Sequence, residues 1–227
     1  MQVKLVNENS LIIYFAESVS IETADFINYV YHRLNEDLGE VIENIIPSYT
    51  SILLSCNSRK IGLQSFLRLV NSALTNLHTN QIDDFKPEQI ELPVYYGDEV
   101  ALDHEDISQH TGLPFSEIIK LHTSEYYRVF AIGFAPGFAF LGNIPAQIAM
   151  PRKKSPRTNV PKGSVAIADR QTAVYPNQSP GGWQIIGRTP INLLDITTKN
   201  LSKFSMGDQV KFKAIDKQTF LAMGGIL

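Results

Sequence analysis

Cysteine is almost absent from this chain of 227 residues, because Cys56 is the single one. One cysteine excludes a scaffold built on disulfides and any zinc or iron–sulfur site held by several thiolates. No run of about 18 uninterrupted apolar residues is present, so no membrane-spanning helix is expected. The first residues lack the basic and apolar segments of a secretory signal. We therefore expect a cytoplasmic protein that does not contact a membrane.

A large excess of charge of either sign is also missing, since 20 Lys and Arg stand against 23 Asp and Glu. A general nucleic-acid binder needs more positive charge than this. The histidines are scattered without the spacing of metal ligands. No G-x-x-x-x-G-K-[ST] run is present, which excludes a P-loop nucleotide site. Neither nucleic acid nor a metal ion is an expected ligand.

The first part of the chain alternates between strand and helix patterns. Apolar residues at helical spacing predict one helix that begins after Ser20 and ends near Gly39, and a second over 63–77. Strands are predicted at 11–15, 41–46, 49–55 and 88–95. The order β-α-β-β-α-β favours a ferredoxin-like α/β domain, which we place at residues 1–88.

The pattern changes in the rest of the chain, where short β-type runs alternate with Gly and Pro. Helices are predicted at 103–109, 115–121 and 216–223. The first of them is acidic, which argues against a DNA-binding helix pair. Such short strands are typical of a β-barrel or sandwich, so residues 89–227 are predicted to form a β domain in an α+β protein. The predicted strands are 127–132, 164–168, 172–175, 183–186, 192–196 and 209–214.

Positive charge, glycine and proline concentrate in residues 133–190. This segment holds seven basic side chains and one carboxylate, Asp169, together with seven of the 14 glycines and eight of the 12 prolines. Stiff loops with accessible backbone are suited to a ligand site, and the local charge favours a small anion. A loop-rich β domain with solvated Lys and Arg remains the alternative.

Candidate site residues follow from this composition. Arg152 and Arg157 are the predicted anion contacts, because a guanidinium can grip a carboxylate through two parallel hydrogen bonds; Lys153 and Lys154 are expected to face water. His122 is the candidate general acid or base, with a structural role near a helix end as the alternative. The candidate substrate-binding residues are Gly133, Phe134, Pro136, Gly137, Arg152, Arg157, Ser164, Gln171, Thr172, Ser179, Gly181, Gly182 and Trp183.

An ordered series of motifs runs from about residue 92 to residue 214. It comprises Leu121-His122-Thr123-Ser124-Glu125-Tyr126, Gly133-Phe134-x-Pro136-Gly137-Phe138-x-Phe140-Leu141-Gly142, Pro151-Arg152, Pro156-Arg157, Val160-Pro161-x-Gly163-Ser164-Val165, Gln171-Thr172, Val174-Tyr175-Pro176 and Pro180-Gly181-Gly182-Trp183. The series closely resembles the family of 5-oxoprolinase B subunits, also called allophanate hydrolase subunit 1 or the KipI family.

The resemblance implies an α/β domain followed by a cyclophilin-like β-barrel. It also implies one component of an enzyme that uses ATP, with Mg²⁺, to open the ring of 5-oxoproline to glutamate, with subunits C and A as partners. Two alternatives come with it. One is an inhibitor of a sporulation histidine kinase that docks through an exposed patch of Phe134, Phe138 and Phe140. The other is part of a biotin-dependent urea carboxyltransferase.

The sequence departs from the family at one loop. The family commonly follows its Pro-x-x-Tyr-Gly with a second Gly and then Gly-Pro-Asp-Leu. Here the corresponding motif, which ends at Gly97, is followed by Asp-Glu-Val-Ala-Leu-Asp over 98–103. This loop is expected to contact the partner subunit or the substrate, so the change bears on the interface or on specificity.

Overall fold

The computed structural model describes residues 1–77, 87–194 and 201–227. The chain divides into two compact units, Met1–Pro87 and Glu88–Leu227. This division lies next to the boundary between 88 and 89 that the sequence predicts. The strand expected at 192–196 lies partly outside the described residues, and within them Leu194 forms only an isolated bridge with Ser202.

The first unit is a four-stranded antiparallel sheet with two helices. The strands are β1 (Gln2–Leu5), β2 (Ser10–Tyr14), β3 (Ile42–Ser48) and β4 (Ser51–Cys56). They lie in the order β1-β2-β4-β3. The helices are α1 (Ile21–Leu38) and α2 (Leu63–Thr75). Ser20 caps α1 by accepting a hydrogen bond from the N–H of Thr23 at 3.1 Å, as expected for a serine before an apolar periodic run.

The ferredoxin-like order predicted for this unit is wrong, because the observed order is β-β-α-β-β-α. The strand β1 was not predicted; polar and apolar side chains alternate along it, but it is only four residues long and largely exposed. The strand expected to complete the domain, Gln89–Tyr95, belongs to the second unit. There it pairs in parallel with strand Gln209–Ile215 along its whole length.

The second unit is built on a closed barrel of seven strands, which fits the expected cyclophilin-like barrel. Its strands and those of a small separate sheet are β5 (Gln89–Tyr95), β6 (Tyr127–Ile132), β7 (Ala139–Gly142), β8 (Arg157–Val160), β9 (Ser164–Ala168), β10 (Gln171–Val174), β11 (Ser179–Gly181), β12 (Gln184–Arg188) and β13 (Gln209–Ile215). β11 and β8 form the separate two-stranded sheet, and the order in the barrel is β10-β7-β6-β13-β5-β12-β9. Its core is mainly aliphatic, with Val129, Leu141 and Ile167 among the fully buried residues.

Three α-helices accompany the barrel close to the positions predicted. They are α3 (His104–Thr111), α4 (Phe115–His122) and α5 (Lys217–Ala222). Gly112 ends α3 with φ of 70°, a left-handed conformation that glycine adopts without steric cost. Asp216 caps α5 by accepting a hydrogen bond from the N–H of Thr219 at 2.7 Å.

Among the described residues, no helix combines the length and the apolar character that a bilayer-spanning segment needs. In the same ranges, no group of three or more His, Cys, Asp or Glu side chains is placed to hold a metal ion. Cys56 is buried as a free thiol at the end of β4.

Candidate functional site

A cavity of about 300 Å³ opens in the second unit, and its walls are largely aromatic. We call it the Arg152 cavity. Phe138 lies at the centre of the aromatic wall and makes edge-to-face contacts, with centroid distances of 4.9–5.9 Å, to the other four rings. The lining consists of Phe134, Phe138, Phe140, Arg152, Pro156, Tyr175, Pro180, Gly181, Gly182 and Trp183.

The polar side of the cavity is formed by two loops that meet. One is the segment 151–157, which carries Arg152 and Pro156, and the other is the turn at Gly181 and Gly182. The backbone N–H of Lys153 donates to the carbonyl of Gly182 at 2.7 Å, which joins the loops directly. The structure therefore brings together five of the predicted site residues, namely Phe134, Arg152, Gly181, Gly182 and Trp183.

Arg152 is the basic side chain that faces the cavity. It is exposed, and its guanidinium carbon lies 5.7 Å from the ring centroid of Trp183 in a cation–π contact. None of the ion pairs among the described residues involves Arg152. Its charge and its parallel N–H donors are therefore directed at a site where an anion can bind.

Tyr175 is a cavity residue that the sequence analysis did not select. Its ring is buried in the wall, and Gly181 leaves the space that the hydroxyl occupies, because a Cβ there would overlap it. Burial raises the pKa of Tyr175, although the backbone N–H of Trp183 and the charge of Arg152 act in the opposite direction. The phenol is thus neutral and can donate its proton to a ligand oxygen. Its place in the Val174-Tyr175-Pro176 motif was the signal that could have identified it.

Arg157, the second predicted anion contact, is paired with a carboxylate of the chain itself. Its guanidinium donates to both oxygens of Asp103, each at 2.7 Å. Lys153, expected to face water, donates to the same carboxylate at 2.6 Å. Burial alone would raise the pKa of Asp103, but the hydrogen bonds from Arg157, Lys153 and the Ile185 N–H outweigh it and hold this pKa below its usual value. The fold uses these two cations internally because a buried carboxylate needs partners.

His122, the candidate general acid or base, is fully buried in the barrel core and is not among the residues that line this cavity. Thr172 donates its proton to the carbonyl of Ala166 at 3.1 Å, so its oxygen accepts from Nε2 of His122 at 2.9 Å. Nδ1 then accepts from the hydroxyl of Tyr96 at 2.8 Å. Burial lowers the pKa of His122 to about 3, which keeps the ring neutral. Both His122 and Thr172 therefore belong to a hydrogen-bond network inside the barrel core.

The remaining predicted site residues are not among those that line the Arg152 cavity. Gly133, Pro136 and Gly137 belong to a tight turn in which the N–H of Gly133 donates to the carbonyl of Phe138 at 3.0 Å. This turn presents Phe134, which is 67% exposed.

The other three are strand residues. Ser164 is fully buried on β9, Gln171 is half-buried at the start of β10, and Ser179 begins β11 beside the cavity residue Pro180.

The exposed phenylalanine patch expected for kinase docking is reduced by the fold. Phe134 is largely exposed, but Phe138 is only 2% exposed because it is the centre of the aromatic wall. Phe140 is half-buried. The aromatic residues therefore form the inside of a cavity more than an outer surface.

The sequence matches the family described as the carboxyltransferase domain, subdomain C and D, over residues 1–204. It is 32% identical to the 5-oxoprolinase B subunit of Bacillus subtilis (strain 168) over 229 residues, which cover 97% of this chain and 95% of that protein. It is 33% identical to the 5-oxoprolinase B subunit of Escherichia coli O157:H7 over 210 residues, with 92% and 93% covered.

Two solved structures share the fold of this chain. The crystal structure of TTHA0988 matches with a TM-score of 0.78 and 28% identity over 95% of this chain, which corresponds to 40% of that longer chain. Kluyveromyces lactis urea carboxylase matches with a TM-score of 0.73 over 97% of this chain and 22% of its own. At 16% identity, that likeness shows a common fold alone. The chain belongs to the family of 5-oxoprolinase B subunits, within the carboxyltransferase-domain proteins.

Proposed function

We propose that this chain is the B subunit of an ATP-dependent 5-oxoprolinase, that it works with subunits C and A, and that the Arg152 cavity binds the carboxylate substrate. The identities to two 5-oxoprolinase B subunits support the role in the complex. The observation that carries the site assignment is Arg152, an exposed guanidinium over Trp183 in an otherwise aromatic and glycine-lined cavity. This pairing of one cation with apolar walls suits a small ring that bears one carboxylate.

The chemistry of 5-oxoproline matches the groups in the cavity. Arg152 would donate two hydrogen bonds to the carboxylate, and the ring methylenes would pack against Trp183. The neutral hydroxyl of Tyr175 would donate to the lactam oxygen. These contacts would fix the orientation of the ring, which is the contribution that a binding subunit makes to the reaction.

ATP enters this proposal as a co-substrate of the complex, with Mg²⁺. Transfer of the γ-phosphoryl group to the lactam oxygen releases ADP and activates the lactam carbon. Water then adds at that carbon, and the C–N bond breaks with protonation of the nitrogen, which leaves γ-glutamyl phosphate. A second water hydrolyses this acyl phosphate to glutamate and phosphate. A triphosphate needs several cations or a phosphate-binding loop, and the cavity lining offers one guanidinium. We therefore assign ATP binding to another part of the complex.

Reconstitution tests this function. We expect ATP-dependent release of glutamate from 5-oxoproline when this chain is combined with its cognate subunits C and A, and no release when this chain is omitted. Equal activity without this chain would contradict the proposal. Binding to a histidine kinase together with no oxoprolinase activity would support the inhibitor alternative instead.

The description of the matching family favours a second candidate, a carboxyltransferase function. In that case the substrate carboxylate would come from a biotinylated partner. Dependence of turnover on such a partner, with urea and not 5-oxoproline consumed, would distinguish the two functions.

A further inference from the structure

Asp103 occupies an unusual position for an acidic residue, because its carboxylate is buried beside the loops that form the cavity. Its side chain is 1% exposed. One oxygen accepts from Nζ of Lys153 at 2.6 Å and from the guanidinium of Arg157 at 2.7 Å. The other accepts from Arg157 and from the backbone N–H of Ile185, both at 2.7 Å. All the strong acceptor positions of this carboxylate are therefore in use.

The partners of Asp103 lie on both sides of the cavity residues. Lys153 directly follows Arg152 in sequence, Arg157 begins β8 immediately after the lining residue Pro156, and Ile185 lies two residues beyond Trp183. One carboxylate thus connects the loop that carries Arg152 to the strand that follows Trp183. Neutral hydrogen bonds complete the attachment, since Nε2 of Gln184 donates to the carbonyl of Pro151 at 2.9 Å.

Stability alone does not explain such a cluster. Buried ion pairs contribute little net stability, since the loss of hydration offsets much of their attraction. They do impose geometry, because a guanidinium and a carboxylate meet in a fixed planar arrangement. The cluster also satisfies the charges of Lys153 and Arg157, which leaves Arg152 as the cation directed at the cavity.

We propose that Asp103 is a positioning residue for substrate binding, which holds the 151–157 segment so that Arg152 lies over Trp183 at the cavity. The proposal rests on the assignment of the Arg152 cavity as the substrate site. It also gives a role to the loop that follows Gly97, since that loop ends in the residue that organises the site.

The first test uses Trp183, which is the single tryptophan of the chain. Its fluorescence therefore reports on the cavity without any knowledge of the substrate. In Asp103→Asn, acrylamide should quench this fluorescence more strongly than in the wild type. The matched control is Asp106→Asn, which removes a carboxylate that is 61% exposed and 3.2 Å from the same Lys153 ammonium. Acrylamide should quench the fluorescence of this control as it does that of the wild type. Equal quenching in all three proteins would overturn the proposal.

The second test is a double-mutant cycle in the reconstituted complex. Asp103→Asn should raise KM for 5-oxoproline by on the order of tenfold, the scale of one weakened charge-assisted hydrogen bond, with a smaller effect on kcat. In an Arg152→Ala background the same substitution should add little, because Asp103 acts through Arg152. An equal increase of KM in both backgrounds would show a merely structural role and overturn the proposal.

A milder variant covers the case in which Asp103→Asn does not fold. Arg157→Lys keeps the charge but loses the bidentate contact, so it should produce the same changes in smaller degree while the protein remains folded. A folded Arg157→Lys protein with wild-type quenching and KM would contradict the proposal. The positioning role and the substrate assignment can fail independently. If Asp103→Asn changes the quenching of Trp183 but Arg152→Ala leaves KM for 5-oxoproline unchanged, the positioning role stands and the substrate assignment fails.

Discussion

Gly181 lies so close to Tyr175 that a Cβ at this position would overlap the phenolic oxygen and lie 2.7 Å from ring carbon Cζ. The ring of Tyr175 is buried and cannot move aside without disturbing the aromatic wall. Gly181→Ala should therefore destabilise the chain by roughly 1–3 kcal/mol, the usual cost of overpacking. Urea unfolding monitored by circular dichroism measures this change.

Gly182→Ala is the matched control for stability. At the neighbouring position the nearest atom to a Cβ is Cγ of Pro156 at 3.6 Å, an ordinary contact. We expect a change in unfolding free energy within about 0.5 kcal/mol. Equal destabilisation by the two substitutions would show that the contact with Tyr175 is not what requires glycine at position 181.

Substitution of Arg152 should weaken substrate binding selectively. Loss of charge-assisted hydrogen bonds worth about 1.5–3 kcal/mol predicts that Arg152→Ala raises KM for 5-oxoproline roughly tenfold to a hundredfold in the reconstituted complex. Arg152→Lys should be intermediate, because an ammonium keeps the charge but cannot form two parallel hydrogen bonds. Lys154→Ala removes a neighbouring exposed cation and should leave KM unchanged. A wild-type KM for Arg152→Ala would refute the anion site.

The buried His122 makes stability depend on pH in a defined direction. Its pKa falls from a usual value of 6.5 to about 3 on burial, so the unfolded state binds a proton between these values and the folded state does not. The contribution of His122 to stability is therefore fully present above pH 6.5 and decreases below it, by up to about 1.4 kcal/mol for each pH unit. Urea unfolding at pH 7.5, 6.5 and 5.5 measures this slope.

A variant isolates the contribution of His122 from that of the carboxylates. His122→Gln keeps a hydrogen-bonding side chain of similar size without a titrating ring. The variant should be less stable at pH 7.5 and should show a smaller loss between pH 6.5 and 5.5 than the wild type. Identical slopes in the two proteins would mean that the imidazole is not neutral and buried in the folded state.

Substitution of Phe134 should weaken substrate binding without a large change in stability. It has φ of 71°, an unfavourable conformation for a phenylalanine, and its ring is largely exposed at the cavity. Phe134→Gly relieves this backbone strain but increases the entropy of the unfolded chain, so we expect the unfolding free energy to change by less than about 1 kcal/mol. Substrate binding should weaken because one wall of the cavity is lost. A large loss of stability with unchanged KM would show that Phe134 supports the fold and not substrate binding.

Much of the local structure could be predicted from the sequence. The helices α3 and α4 and the strands β6 and β9 occur where periodicity and Gly or Pro punctuation place them, because these signals depend on neighbours a few residues apart. The pairing of strands could not be predicted from such local signals. Gln89–Tyr95 reads equally well as the last strand of the first unit, and only its pairing with β13 assigns it to the barrel.

For the site, the sequence by itself determined the chemistry available: basic side chains, glycines and aromatic rings concentrated in one segment of an otherwise acidic chain. Side-chain chemistry separated the two arginines from the two lysines at 152–157, but the sequence could not show which of these four cations faces the cavity, since all have the same charge and the same local setting. The tertiary structure made that distinction by placing the buried carboxylate of Asp103, some 50 residues away in the chain, against Lys153 and Arg157 and not against Arg152. The tertiary structure also places His122 in the barrel core. A side chain's role depends on what the fold brings next to it, and those neighbours are distant in sequence.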